Sequence, residues 1–211
     1  MSVKETRRII EELIKEASGR NFVESVDLVI NLKNVDMKNP NNRIKEEVIL
    51  PEGLGDDVKI AVFAKGDLAE RAKKMGVTVL SEGDIDKLGK SKSEAKKVAR
   101  EYDFFLAEPQ FMALIGRKLG QTLGPRGKMP SPAISDIEGI IERLKKSVRL
   151  NTKDNLTFHA KIGKTSVEPE KLAKNLEAVV DKVISRLNDG KANIRSIYLK
   201  TTMGKAKRVA I

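Results

Sequence analysis

Val58-Lys59-Ile60-Ala61-Val62-Phe63-Ala64 is apolar at nearly every position. A run of this kind is typical of a strand that is buried on both faces. Further strand-like segments follow at 76–80 and 102–107, and helical stretches lie between and after them as far as a helix at 135–147. Strands and helices that alternate at this spacing indicate βαβ units and a parallel sheet. We therefore predict an α/β domain over residues 56–150.

The two ends of the chain follow a different pattern. Polar and apolar residues alternate from Phe22 to Leu32, which predicts a long strand with one packed face. Shorter strands are predicted at 43–50, 156–162 and 194–199, and amphipathic helices at 3–17 and 169–187. We predict that residues 1–55 and 151–211 form one discontinuous α+β domain, into which the α/β domain 56–150 is inserted.

The charge of the chain favours a polyanionic partner. Lys and Arg total 41 against 30 Asp and Glu, a formal net charge of +11. Residues 151–211 are the most basic part, with 13 basic and 6 acidic residues. Such an excess attracts nucleic acid, because each neutralised phosphate releases a condensed counterion. A heavily charged surface of a thermophilic protein is the alternative interpretation.

The sequence lacks the residues that several classes of function require. The chain has no cysteine and one histidine, His159, so thiol nucleophiles, common hydrolytic triads and Cys- or His-rich metal sites are excluded. Gly163-Lys164-Thr165 is like the end of a phosphate-binding loop, but Phe158 stands where that loop needs its first glycine. No apolar run is long enough to span a membrane, and the charged N-terminus lacks a signal core. We expect a cytoplasmic protein without catalytic residues, metal or cofactor, and we take His159 as structural at this point.

A glycine-rich basic segment extends from Gly116 to Pro130. Its glycines and prolines predict an irregular backbone that can approach a phosphate closely, while its cations supply charge. The candidate residues are Arg117, Lys118, Gly124, Arg126, Gly127 and Lys128. An interdomain hinge is the alternative, and the two roles are compatible.

The C-terminal run from Arg195 to Arg208 is the other candidate for binding. Alternate side chains of a strand point to one side, so Ser196, Lys200 and Thr202 can share one face. Small hydroxyl groups beside Gly204 allow close contact with ribose and backbone. Thr and Tyr are also simply good strand formers. Because aromatic residues make up only 4% of the chain, recognition by stacking of many bases is not expected.

Four segments together carry a resemblance to a known family. They are Asn31-Leu32-Lys33-Asn34-Val35-Asp36, Ile49-Leu50-Pro51-Glu52-Gly53-Leu54-Gly55, Leu123-Gly124-Pro125-Arg126-Gly127-Lys128-Met129-Pro130 and Thr201-Thr202-Met203-Gly204. Taken in this order, they resemble the ribosomal protein L-one family in its archaeal form over nearly the whole chain. The resemblance implies an α+β domain from both termini with an inserted Rossmann-like domain.

The resemblance also implies partners. Members of this family bind large-subunit rRNA at the mobile side stalk, where exit-site tRNA leaves, and many repress translation of their own mRNA at a site that mimics the rRNA. We expect the same three roles here, with other ribosomal components as neighbours, a location in the cytoplasmic ribosome, and a monomer when free.

By matching position, the resemblance implies an RNA surface on the terminal domain. Its residues are Phe22, Glu24, Ser25, His159, Lys161, Gly163, Lys164, Ser196, Thr202, Met203 and Gly204. Phe22 and Met203 would make apolar contacts with sugars, and Ser196 and Thr202 would hydrogen-bond ribose hydroxyls. His159 thereby changes from a structural residue to an expected contact. Two other hypotheses stay open, a nucleotide-using enzyme built on the inserted sheet and an architectural protein that coats polyanions.

Overall fold

The computed structural model describes residues 3–132 and 136–210. In chain order its elements are α1 (Val3–Ala17), β1 (Ser25–Leu32), β2 (Lys45–Ile49), β3 (Ile60–Phe63), α2 (Asp67–Lys74), β4 (Thr78–Leu80), α3 (Glu82–Lys90), α4 (Lys92–Glu101), β5 (Phe104–Ala107), α5 (Pro109–Leu123), β6 (Ser131–Pro132), α6 (Ile137–Lys145), β7 (Ser147–Asn151), β8 (Thr157–Lys164), α7 (Pro169–Arg186), β9 (Ile194–Thr201) and β10 (Lys207–Val209). Short 3-10 turns lie at Pro40–Asn42 and Gly190–Asn193.

The chain divides into two compact units. The terminal unit comprises residues 1–56 and 146–211, and the inserted unit comprises residues 57–145. The division differs from the boundary drawn after residue 150 in the sequence, because β7 pairs antiparallel with β2 and so belongs to the terminal unit. Each unit has a sheet of its own.

The terminal unit is built on a four-stranded antiparallel sheet in the order β10-β9-β1-β8. Along β1 every second side chain is buried, as period-two alternation requires. The buried face meets α1 and α7, and we call the opposite face the polar face of the sheet. The buried residues of α1 include Ile10, Leu13 and Ala17, which recur at helical spacing and so lie on one side of the helix.

A β-bulge shapes the end of β8. Val26 of β1 pairs with Gly163, but the next residue, Asp27, pairs with Lys161, so that β8 contains one extra residue. The bulge returns Lys164 to the same side of the sheet as Lys161. Gly163 is required there, because a Cβ at this position would lie 2.4 Å from Leu172 Cδ2.

One buried amide joins three segments of the terminal unit. Asn175 of α7 is fully buried, and its Nδ2 donates to the carbonyl oxygens of Gly53 and Ile162 at 2.7 and 2.9 Å. Its Oδ1 accepts a hydrogen bond from the Glu52 amide at 3.1 Å. The turn after β2 is therefore fastened to α7 and β8 through a single side chain.

The inserted unit has a parallel sheet in the order β4-β3-β5-β6, with helices on both faces. All residues of β3 and β5 are buried, in agreement with the continuous apolar runs in the sequence. One face packs against α3, α4 and α5, and the other packs against α2 and α6. The predicted mixed α/β class is confirmed.

Three local predictions are wrong. The helix predicted as far as Ser147 ends at Lys145, and Ser147–Asn151 forms β7; the predicted cap of this helix, Ser135, lies outside the described residues. The strand predicted from Phe22 begins only at Ser25. The irregular backbone predicted from Gly116 begins only after Leu123, since the helix that the sequence predicts over 109–119 extends as α5 to Leu123, where Leu119 and Leu123 continue its buried side.

Candidate nucleic-acid interface

Segments far apart in the sequence meet at one end of the sheet in the terminal unit. The start of β1 lies between the ends of β8 and β9, since Ser25 pairs with Lys164 and Val26 pairs with Thr201. The segments 22–25, 161–164 and 202–204 therefore come together. Ser196 and His159 lie further along the polar face, where they flank β1 opposite Asn31 and Val29.

A buried carboxylate organises this end of the sheet. Glu24 is 1% exposed, and its Oε2 accepts a hydrogen bond from the Met203 amide at 2.8 Å. Its Oε1 forms an ion pair with Arg20, whose Nη2 also donates to the Met203 carbonyl at 3.4 Å. Thr165 adds two bonds to the same residue, with its hydroxyl accepting from the Glu24 amide and its amide donating to the Glu24 carbonyl. Glu24 thus acts through the backbone of its neighbours, and it is not exposed to a ligand.

The pKa of Glu24 reflects these contacts. Burial would raise the pKa, but the bonds from the Met203 amide and Arg20 outweigh burial, and the pKa falls below its ordinary value of 4.5. A carboxylate with a lowered pKa stabilises the fold above the pKa of the unfolded state, and this contribution disappears as the pH falls through the folded pKa.

The substitution Glu24→Gln is expected to make the free energy of unfolding depend less on pH in the acid range. At pH 7 the variant should be about 2 kcal/mol less stable, because the charged hydrogen bonds are lost. The difference from the native chain should shrink as the pH falls below 4.5 and then through the lower pKa of Glu24 in the folded chain, where this carboxylate becomes protonated. Urea unfolding at a series of pH values measures this. Glu5→Gln, at an exposed position of α1, is the control and should follow the native curve; a constant gap at all pH values would contradict the role of Glu24.

The loop after β9 presents a hydroxyl and an apolar side chain outward. The Thr202 amide donates to the Ser25 carbonyl at 3.1 Å, and the Thr202 hydroxyl accepts from the Ser25 amide at 3.2 Å. Such a hydroxyl can still donate its own hydrogen to a ligand. Met203 is 67% exposed and Phe22 is 53% exposed, so two large apolar side chains face solvent beside this fixed backbone. Gly204 completes the loop, because a Cβ there would lie 2.3 Å from Thr201 Oγ1.

Two lysines of β8 share one carboxylate. The bulge directs both Lys161 and Lys164 to Asp56, and each ammonium group forms an ion pair with a different carboxylate oxygen. Burial would raise the pKa of Asp56, but the two ammonium groups outweigh burial and lower it. The predicted cations are therefore present at the site, but they are neutralised in part by a residue that the sequence did not single out.

The polar face of the sheet continues this pattern. Asp27 of β1 lies between Lys200 of β9 and Lys161 of β8, and burial raises its pKa against the effect of these cations. Two rows further along, the side-chain amide Nδ2 of Asn31 donates to Ser196 Oγ at 2.9 Å. Ser196 is mostly buried, and its hydroxyl already accepts this bond from the neighbouring strand.

The six glycine-rich candidates all lie in the inserted unit. Arg117 and Lys118 lie on α5, and Lys118 forms an ion pair with Asp86 of α3. In the loop after α5, Arg126 donates to the Lys96 carbonyl at 3.1 Å, and Lys128 donates to the Tyr102 carbonyl at 2.7 Å. Gly124 ends α5, and Gly127 has a φ of 67°, which favours glycine.

This loop joins α5 to β6 within one unit. The chain passes between the two units near residues 56 and 146, so the loop does not connect them as a hinge would. Both long cations of the loop instead fasten it to α4 and the residue that follows α4. Their guanidinium and ammonium groups thus hold the loop by hydrogen bonds within the inserted unit.

Arg20, Asp56 and Thr165 are the residues of the site that sequence reasoning missed. Arg20 and Asp56 lie outside regular elements. The lysine partners of Asp56 are far away in the sequence, and no helical or strand periodicity connects Arg20 with Glu24. Thr165 directly follows the lysine that was singled out. The Gly163-Lys164-Thr165 triplet lies at the bulge and end of β8, and not in a loop that opens a helix, so its likeness to a phosphate-binding loop is superficial.

Other kinds of site are not found in the described part of the chain. No group of three or more His, Asp or Glu side chains there is arranged to hold a metal ion. Over residues 3–132 and 136–210, no helix combines the length and apolar character that crossing a membrane requires.

Comparison with known proteins identifies the family. The model of the ribosomal protein L1p/L10e family matches residues 13–205. The large ribosomal subunit protein uL1 of Methanocella arvoryzae is 49% identical over 99% of this chain and 100% of its own length. The proteins of the same name from Pyrococcus horikoshii and Methanosarcina barkeri are 49% and 47% identical, over 96% and 99% of this chain and 96% and 100% of their own lengths. The chain belongs to the ribosomal protein L1p/L10e family, which consists of ribosomal proteins and not of enzymes. The resemblance seen in the sequence is confirmed.

Proposed function

We propose that this protein is a constituent of the large subunit of the cytoplasmic ribosome and binds its rRNA directly through the terminal unit. The observation that supports this most is the fixed loop 202–204 beside exposed Phe22, with Lys161, Lys164 and Lys200 nearby. Apolar side chains and a hydroxyl group held by hydrogen-bonded backbone fit the sugar edge of a folded RNA, and the cations fit its phosphates. The shared name of the relatives agrees with this role.

The finer roles belong to the same proposal. We place the rRNA target at the mobile side stalk, with exit-site tRNA as a transient partner, and we infer repression of the chain's own mRNA through an rRNA-like site. A single binding surface can serve rRNA and mRNA if both fold to the same shape, because a surface of this kind reads backbone geometry more than base edges. The free protein is proposed to be a monomer.

The experiment that tests direct binding compares two RNAs. Filter binding of the purified chain to a side-stalk stem-loop of large-subunit rRNA, which we call the side-stalk fragment, is measured beside random RNA of equal length. A specific binder should prefer the fragment by at least about 10³-fold. A salt series separates the electrostatic part of the affinity, which random RNA shares, from the part that depends on shape. Equal affinities at every salt concentration would exclude the proposal and favour a protein that merely coats polyanions.

Replacement of Asp56 by asparagine is expected to strengthen binding to the side-stalk fragment about 3- to 10-fold and to steepen its salt dependence, because two ammonium groups become available to phosphates. Filter binding across salt measures both effects. Asp57→Asn is the matched control, since Asp57 is exposed and its replacement changes the net charge by the same amount. Equal gains from the two variants would show that only net charge matters.

Removal of the inserted unit should leave RNA binding in place. We expect a chain in which residues 57–145 are replaced by a short flexible linker to bind the side-stalk fragment within about 10-fold of the full chain, since the proposed contacts lie in the terminal unit. Circular dichroism establishes that this chain is folded before the titration. If this shortened chain folds but does not prefer the fragment, the RNA surface would have to be assigned to the inserted unit.

A further inference from the structure

A cavity of about 510 Å³ opens in the terminal unit beside residues 20–23. Ile14 and Ala17 of α1 form one apolar part of its lining, and Phe22 and Val23 form another. Both Phe22 and Val23 are 53% exposed. A volume of this size lies within the range of about 300–1,000 Å³ that is usual for small-molecule sites. Two adjacent half-exposed apolar side chains at the mouth of a cavity indicate a ligand with an apolar surface.

The rest of the lining is polar and carries no negative charge. Asn21, Thr165 and Ser166 provide amide and hydroxyl groups, and Arg20 provides a guanidinium group. Among the described residues that line the cavity, none is a carboxylate. Amide and hydroxyl groups both donate and accept hydrogen bonds, which suits the edge of a heterocycle. The cavity therefore combines apolar walls, a polar rim and a cation.

The cavity adjoins the proposed RNA surface through shared residues. Arg20 lines it and also binds Glu24 and the Met203 carbonyl. Phe22 lines it and belongs to the residues expected to contact RNA. Thr165 also lines it and is hydrogen-bonded to the Glu24 backbone. An RNA strand that contacts Met203 and Phe22 thus passes the mouth of the cavity.

We propose that this cavity receives one unstacked nucleobase of the bound RNA, which deepens the proposed function and rests on it. A planar ring fits between apolar side chains, and its polar edge meets Asn21 and Ser166. A ribose at the mouth of the cavity could contact Phe22, but it would leave the apolar side chains of Ile14 and Ala17 without a partner. A base held in this way would add sequence preference to a surface that otherwise recognises the shape of the RNA.

A combined protein and RNA titration tests the proposal. Each nucleotide of the side-stalk fragment is replaced in turn by an abasic one, and each RNA is titrated with the native chain, Ser166→Leu and Ser18→Leu. Both serines are exposed at the rim, so leucine narrows the cavity without entering the core. The control is Ser185→Leu, which adds the same side chain at an exposed position of α7. Thermal unfolding confirms that the variants are folded.

The expected result is non-additive. Ser166→Leu and Ser18→Leu should weaken binding of the intact fragment roughly 10- to 100-fold, the effect of losing one stacked base. One abasic position should weaken binding to the native chain by a similar factor and have little further effect on either cavity variant. Two results would overturn the nucleobase proposal. One is that the losses from the cavity variants and the abasic position are additive. The other is that the cavity variants bind like the native chain, which would favour a protein partner for the cavity. A native chain that does not distinguish the fragment from random RNA would instead refute the proposed function itself.

Discussion

The substitution Met203→Ala is expected to weaken binding to the side-stalk fragment about 30-fold or more, which is the loss typical of a central contact residue. Met203 is the most exposed large apolar side chain in the described residues, yet its backbone is held on both sides, by Glu24 at the amide and by Arg20 at the carbonyl. Because this backbone is already fixed, binding orders only the side chain of Met203 and costs little backbone entropy. Filter binding at constant salt measures the loss, and Thr202→Ala should give a comparable one.

Lysines of the inserted unit provide the control for this prediction. Lys96→Ala and Lys97→Ala, at exposed positions of α4 in the inserted unit, remove one charge each and should change the affinity less than about 3-fold. Losses of the same size at Met203 and on α4 would mean that the loop at residues 202–204 contributes no more to binding than an exposed position elsewhere in the chain. The site assigned to the terminal unit would then be wrong.

Replacement of Asn175 by leucine is expected to destabilise the terminal unit by about 4 kcal/mol. The two side chains share the same branching at Cγ, but leucine leaves the Gly53 and Ile162 carbonyls and the Glu52 amide without their partner in a fully buried place. Chemical unfolding followed by circular dichroism measures the change, and RNA binding should be retained at temperatures where the variant is folded.

Asn188→Leu is the comparison for this second prediction. Asn188 follows α7 at an exposed position, so the same substitution there should change the free energy of unfolding by less than about 0.5 kcal/mol. A loss at Asn175 no larger than the loss at Asn188 would show that the three bonds contribute little, and that the turn at residues 51–55 is held in place by other contacts.

The regular parts of the fold follow from local patterns in the sequence. The buried strands β3 and β5 are continuous apolar runs, and the alternation along β1 separates its two faces correctly from Glu24 onward. Phe22 fits the period of that strand but lies outside it. Its position could not be predicted, because no pattern in the sequence shows where hydrogen bonding to β8 and β9 begins. β7 was missed because its five residues follow a helix directly and pair with a strand about 100 residues earlier.

The site was predictable only in part. Met203, Thr202 and the lysines of β8 were singled out by residue type or by resemblance, and the structure brings them to one end of the sheet. The bulge that turns Lys161 and Lys164 to the same side could not be read from the sequence, nor could Asp56 as their common partner. These depend on strand register and on a loop conformation, which are tertiary properties. Contact of all these residues with RNA remains a prediction.

The position of β1 in the middle of its sheet has a consequence for how the protein is made. Both neighbours of β1, which are β8 and β9, come from the last third of the chain, and the edge strand β10 ends at Val209. While the polypeptide is still being synthesised, the helices and parallel strands of residues 57–145 can assemble first, because their contacts are close in sequence. Glu24 and the loop at residues 202–204 can come together only after β9 and this loop have been synthesised. A nascent chain that ends before β9 would therefore lack the proposed RNA surface.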